Sequence, residues 1–236
     1  MQIQTPDSNT KTFREALEAL NRSKIPFTIG GAFAMYHYTD VWRNTNDLDI
    51  YLEHRFLPVA VNYLLESGFA DYGEMARYDR SWIYHATKNG TIVDLIWEPP
   101  NHLQQIDSTF FERASPGHFL GVPVKFLAAD DLIWLKLFTL NRHRCDWPDI
   151  FYVVRACPQG MDWMRIIAKM GEHWPVLLSF IVLFDWAYPA YSHHIPANIR
   201  MELLKKKEEA RAEETGVTTR EELLDPWIYT RPRSEQ

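Results

Sequence analysis

A chain of 236 residues with 46% hydrophobic and 14% aromatic content can bury a sizeable core in one or two domains. Its 25 Lys and Arg against 31 Asp and Glu leave a net charge of −6, which argues against a bulk nucleic-acid binder and leaves room only for a local basic groove. Two cysteines, Cys145 and Cys157, supply neither a disulfide framework nor a metal-binding spacing.

The first residues carry neither a charged start nor an apolar run, so no leader and a cytoplasmic location are expected. Thr12-Phe13-Arg14-Glu15 fits a capping box. Phe13, Ala16, Leu17 and Leu20 follow at helical spacing, which predicts a helix over 12–21. Pro26-Phe27-Thr28-Ile29 reads as a strand closed by Gly30-Gly31, and a short helix follows over 32–38. A glycine-rich strand-to-helix turn offers bare backbone N–H groups at a helix N-terminus, which suit a phosphate.

A second strand is predicted over 47–52, where Asp47 and Asp49 alternate with Leu48 and Ile50. Side chains two apart in a strand share a face. Two carboxylates side by side repel unless a cation lies between them, and Mg²⁺ takes oxygen ligands of this kind. The plain alternative is a pair of solvent-facing acids on an edge strand. One polar face beside a glycine turn favours the metal reading.

A helix over 56–66 should stop at Gly68. Next come two β runs, 81–88 and 91–97, joined by Asn89-Gly90, the preferred two-residue type I′ turn. Counting outward pairs Lys88 with Thr91, His85 with Asp94 and Trp82 with Trp97. Asp94 is then a third carboxylate on a central strand, its apolar neighbours favouring a site over an exposed hairpin position. His85 suits either positioning of Asp94 and contact with substrate or plain cross-strand packing.

Beyond residue 126 helical spacing dominates, through Leu132 to Leu140, Ile150 to Val154, Trp163 to Met170 and Val176 to Phe184, so a helical bundle is expected. The most apolar run, 175–184, is short for a membrane span and is followed by Asp185, so no membrane partner is expected. A charged helix over 199–214 carries five basic and five glutamate residues, as a solvated face does. Residues 215–236 read as an extended arm. The tryptophans read mostly as core, with Trp82 and Trp97 also suited to lining a base or substrate pocket. The expected class is α+β: a small mixed sheet flanked by helices over 1–125, a helical domain over 126–214, and the arm.

The order strand–Gly30-Gly31–helix, then Arg43-x-Thr45-x-Asp47-x-Asp49, then Asp94, then Asp131-Leu132-Ile133-Trp134-Leu135-Lys136, resembles the DNA polymerase β-type nucleotidyltransferase superfamily. It is most similar to the small members, including antibiotic and HEPN-partnered nucleotidyltransferases and abortive-infection nucleotidyltransferase toxins. The resemblance covers residues 25–150. It implies that Asp47, Asp49 and Asp94 hold two Mg²⁺ ions (or Mn²⁺), with Asp94 orienting or deprotonating the incoming hydroxyl. It implies that Gly30 and Gly31 bind the triphosphate, that Lys136 neutralises phosphate, and that Arg43 and Thr45 brace the strand or touch phosphate. Lys136 also fits a snorkelling role. Many toxins of the group carry a Lys-x-x-Asp-x-x-Asp segment. Here it reads His143-Arg144-Cys145-Asp146-Trp147-Pro148-Asp149, with histidine at the lysine position. Asp146 and Asp149 suit the acceptor side, while Asp146 ahead of Trp147-Pro148 equally suits a helix cap.

Three functions compete. The first is Mg²⁺-dependent transfer of NMP from an NTP (ATP among them) to a hydroxyl of a small molecule, protein or RNA, with pyrophosphate leaving. The second is a binding or toxin–antitoxin module on the same fold with weak or no catalysis, against which the three intact acids argue. The third is a metal-dependent phosphohydrolase, which explains the glycine pair less well. A homo-oligomer is compatible with all three.

Overall fold

The computed structural model describes residues 7–43, 45–75, 77–141, 144–210 and Arg220. The chain divides into two compact units, residues 1–128 and 129–236.

The first unit is α+β. Helix α1 (Asp7–Ser23) precedes a short strand β1 (Thr28–Ile29), helix α2 (Gly31–Thr39) and strand β2 (Asp47–Tyr51). Helix α3 (Leu57–Glu66), a two-residue strand β3 (Ala70–Asp71) and the hairpin β4 (Ile83–Lys88) and β5 (Thr91–Ile96) follow. A one-turn helix α4 (Ser108–Glu112) leads to a second hairpin, β6 (Ser115–Phe119) and β7 (Val122–Phe126). These strands form one seven-stranded sheet in the order β3-β4-β5-β2-β1-β7-β6. The β2–β5 and β1–β7 pairs are parallel and the others antiparallel.

Helix α1 begins five residues before the sequence capping box. Thr12 is fully buried inside it and caps nothing, because packing of the Phe13, Ala16, Leu17 and Leu20 face carries the helix past the local signal. Helix α3 ends as expected: Gly68 takes φ 81 and the Phe69 N–H returns to the Leu64 carbonyl at 3.1 Å. The β4–β5 turn has Asn89 at φ 54 and Gly90 at φ 75, and the register pairs Lys88 with Thr91 and His85 with Asp94. Trp97 N–H donates to the Trp82 carbonyl at 3.2 Å.

The sheet is two-faced at its centre. Leu48 and Ile50 of β2 lie opposite Val93 and Leu95 of β5, and all four are fully buried. At about 25 cal/mol per Å² of apolar surface, each such side chain contributes on the order of 2 kcal/mol. Burying that face leaves the other, which carries the acids, outside the apolar core.

The second unit is helical: α5 (Ala129–Leu137), α6 (Trp147–Ala156), α7 (Trp163–Met170), α8 (Trp174–Ala187) and α9 (Ala197–Ala210). Its core is aromatic, with Phe151 stacked on Phe180 at 5.0 Å and Trp147 edge-on to Phe180 at 5.7 Å. The stretch Trp163–Ala187, with mean hydropathy 1.4, is long and apolar enough by composition to cross a membrane. A tight turn at Gly171–His173, with Gly171 at φ 50, divides it into helices of 8 and 14 residues, each below the roughly 20 residues a span needs. The charged helix is described only to Ala210, and the expected arm, Arg220 aside, lies outside the described residues, as does His143.

Candidate active site

The site begins at the glycine pair. Gly31 holds φ +52, and a Cβ there would lie 1.6 Å from Asp49 Oδ2. A Cβ on Gly30 would meet Tyr51 Cε2 at 2.2 Å. Both positions exclude a side chain, and Gly31 also needs the left-handed backbone that glycine adopts without cost. Gly30 N–H donates to the Asp49 carbonyl at 2.9 Å, which locks the turn to β2. Gly30 is the N-cap of α2. Gly30 offers no side-chain cap and no acid occupies the first turn of that helix, so its first N–H groups have no acceptor within the helix.

Parallel pairing sets Asp49 of β2 opposite Asp94 of β5, and antiparallel pairing sets Asp94 opposite His85 of β4. His85, Asp94, Asp49 and Gly30 therefore form one row across four neighbouring strand positions. Asp47 stands on the same face, two residues before Asp49. Each carboxylate has its own neighbour. Thr45 Oγ1 donates to Asp47 Oδ1, the Asp49 carboxylate fills the space at Gly31, and Asp94 Oδ1 lies 2.5 Å from His85 Nδ1. Among the described residues no three His, Cys, Asp or Glu side chains gather as one closed metal-ligand set. The three acids share one face of the sheet, and the Asp47 charge is felt at Asp94. As hard oxygen donors on one face, they fit a divalent ion of the Mg²⁺ type.

Asp94 is buried, and burial holds its carboxyl above the ordinary value; His85 opposes this, and the Asp47 charge adds to it. His85 is itself held from behind. Its backbone N–H donates to Tyr78 Oη at 3.0 Å, the Tyr78 ring lies 4.2 Å away, and Tyr72 stands edge-on at 6.0 Å. Sequence reasoning missed Tyr72 and Tyr78. Tyr78 sits in a loop with no periodicity to mark it, and only its closeness to the hairpin pointed there. Arg43 is exposed on the segment entering β2. Trp97 is buried, donating to the Ser81 carbonyl at 3.0 Å, so it serves the core and not an open pocket.

Lys136, Asp146 and Asp149 form a group of their own in the second unit. The Lys136 ammonium is buried between Asp146 and Asp149, 3.2 Å from the latter, so it does not snorkel. Asp146 occupies the N-cap position of α6, with Pro148 in the first turn, but its carboxylate makes no cap hydrogen bond. It pairs with Lys136 and with Arg144 at 2.8 Å. Burial alone would raise the Asp146 pKa; Arg144 and Lys136 outweigh it and hold the group below the ordinary value.

A family model described as an uncharacterised nucleotidyltransferase matches residues 4–183. The chain belongs to this nucleotidyltransferase family. The enzyme has no match among curated proteins. Among solved structures, the nucleotidyltransferase resembles the antibiotic-resistance factor ANT(2'')-Ia, with 16% identity, 80% of this chain and 98% of that chain covered, and a TM-score of 0.47. JHP933 from Helicobacter pylori gives 10% identity, coverage of 87% and 96%, and a TM-score of 0.44. An antigenic nucleotidyltransferase-like protein from Paracoccidioides brasiliensis gives 18%, 75% and 93%, and 0.43.

Proposed function

We propose that this nucleotidyltransferase moves an NMP from an NTP to an acceptor hydroxyl, with Asp47, Asp49 and Asp94 holding Mg²⁺ or Mn²⁺. The observation that carries this reading is the row His85–Asp94–Asp49–Gly30. It sets a carboxylate pair beside an uncapped helix N-terminus at a glycine turn. The N–H groups of the α2 N-terminus bind the triphosphate, and the helix dipole favours its charge. Arg43 adds a cation at the entry to β2, and Thr45 fixes the Asp47 carboxylate. A divalent pair, when bound, polarises the α-phosphate and activates the attacking oxygen. The acceptor oxygen forms a bond to the α-phosphorus while the bond to pyrophosphate breaks in line. Asp94, whose burial raises its proton affinity, takes the hydroxyl proton. Lys136 is engaged by Asp146 and Asp149, so a phosphate contact from it requires leaving those partners. A net charge of −6 without a basic stripe favours a small-molecule or protein hydroxyl over a polynucleotide.

The test is incubation with each α-labelled NTP, Mg²⁺ and cell extract. Label on a new acceptor with release of pyrophosphate, lost in Asp49→Asn, is the expected result. Label recovered as free NMP points to the phosphohydrolase, and no transfer with any NTP points to a non-catalytic module.

A further inference from the structure

Helix α8 is apolar on every side, yet only one face is covered. Leu177, Phe180, Ile181 and Phe184 are buried in the helical unit. On the outer side Val182 is 60% exposed, Trp186 79%, and Leu183 is exposed as well. Helix α9, which packs on α8, leaves Met201 and Leu204 exposed. A soluble chain rarely leaves this much contiguous apolar surface without an occupant. The family match ends at residue 183, so Trp186 and everything after it belong to this chain's own C-terminal portion.

The same chain carries an apolar segment of matching character. Leu223, Leu224, Trp227, Ile228 and Tyr229 crowd into seven residues. Arg220 stands just before them, and its Nη2 lies 3.0 Å from Glu172 Oε2. Glu172 is two residues ahead of the first residue of α8. That ion pair is exposed and adds little energy, but it fixes where the segment starts. At about 1.5 Å rise per residue, Val182 and Trp186 lie roughly 12 and 18 Å along the helix from Trp174. An extended chain covers up to about 3.3 Å per residue, so Leu224, four residues past Arg220, is within span of the level of Val182. Trp227 reaches Trp186.

We propose that residues 223–229 pack along the outer face of α8, over Val182, Leu183 and Trp186, as an intramolecular strap anchored by Arg220 and Glu172. A strap from the same chain pays little association entropy, since nine or fewer residues separate its apolar side chains from the anchor.

The test is cysteine cross-linking in the full chain, with Cys145→Ser and Cys157→Ser as background. Trp186→Cys with Trp227→Cys should oxidise to an intramolecular disulfide, with monomer mass, at a rate independent of protein concentration. Amide exchange in 174–187 should rise at least tenfold when residues 221–236 are removed, and partly in Trp227→Ala, which guards against a folding defect in the cysteine pair. A cross-link that forms only between two chains makes the occupant a second copy and overturns the strap. Binding of the intact chain to neutral phosphatidylcholine vesicles through Trp186 overturns it in favour of a lipid surface. Unchanged exchange in both truncated and Trp227→Ala proteins overturns it as well.

Discussion

His85 is the residue on which the candidate site turns. Its Nδ1 lies 2.5 Å from Asp94 Oδ1, and Tyr78 holds its backbone and ring. A buried carboxylate free to rotate would seldom face a hydroxyl or an ion at the moment it is needed; the imidazole removes that freedom. Partners of this kind, one shell behind a metal or its ligands, are worth about 10–100-fold in activity or metal affinity. His85→Ala should lower kcat by that amount and leave the KM for NTP nearly unchanged. His85→Asn, whose amide N–H stands near the position of Nδ1, should recover part of the loss. Initial-rate kinetics on the three proteins decide it: a rise in KM with kcat intact would make His85 a substrate contact instead of a positioning residue.

At the scale of elements, the strand–turn–helix from β1 through Gly30-Gly31 into α2 must present donors and give space to Asp49 at once. Gly31→Ala puts a Cβ 1.6 Å from Asp49 Oδ2 and forces a side chain into φ +52. Backbone strain of this kind costs about 1–3 kcal/mol, and displacing a site carboxylate by an ångström costs about 100-fold in rate. Gly31→Ala should therefore cost more in activity than its melting temperature suggests; thermal melts and rates measured together check this, and full activity in a folded protein would remove Asp49 from the site. This element was legible in the sequence because its chemistry is local: glycines, then alternating acids. The β4–β5 hairpin was legible for the same reason, since Asn89-Gly90 admits one register. The β6–β7 hairpin was missed. Its turn, Leu120 at φ 53 and Gly121 at φ 79, lacks the favoured Asn-Gly pair, and Pro123 inside β7 argues against a strand. The buried alternation of Val122, Val124 and Phe126 was the signal available. The start of α1 was misplaced because a capping box is weaker than the packing that buries Thr12. The fate of Lys136 was not legible at all, since its partners come from a turn and a helix further along the chain.

For the whole molecule, the charged groups divide the pH axis between the units. In the helical unit Asp146 and Asp185 are held below the ordinary carboxylate value. Burial opposes this in both, but Arg144 and Lys136 prevail at Asp146, and Arg200 and Ser192 at Asp185. A depressed carboxylate gives its full stabilisation above about pH 4 and loses it as pH falls through the folded pKa. Asp94 in the first unit runs the other way: its raised pKa favours the fold at acid pH, and that contribution is lost as pH rises through the folded value. Neither sign predicts a change between pH 7.5 and 5.5 from the depressed acids. His37 does. It is stacked on Phe126 at 4.1 Å and lies 3.1 Å from Ser115 Oγ, and burial holds its pKa below the ordinary 6.5, with Asp40 opposing. The unfolded chain then binds the proton more readily than the folded one. His37's share of stability is complete above pH 6.5 and drains away as pH falls from there toward the folded value. The melting temperature should fall between pH 7.5 and 5.5. His37→Gln keeps a hydrogen-bonding group near Ser115 but cannot charge, so its melting temperature should change less over the same interval. Parallel curves for the two proteins would show that His37 takes up its proton alike in the folded and unfolded chains, and the acid sensitivity would then belong to another group.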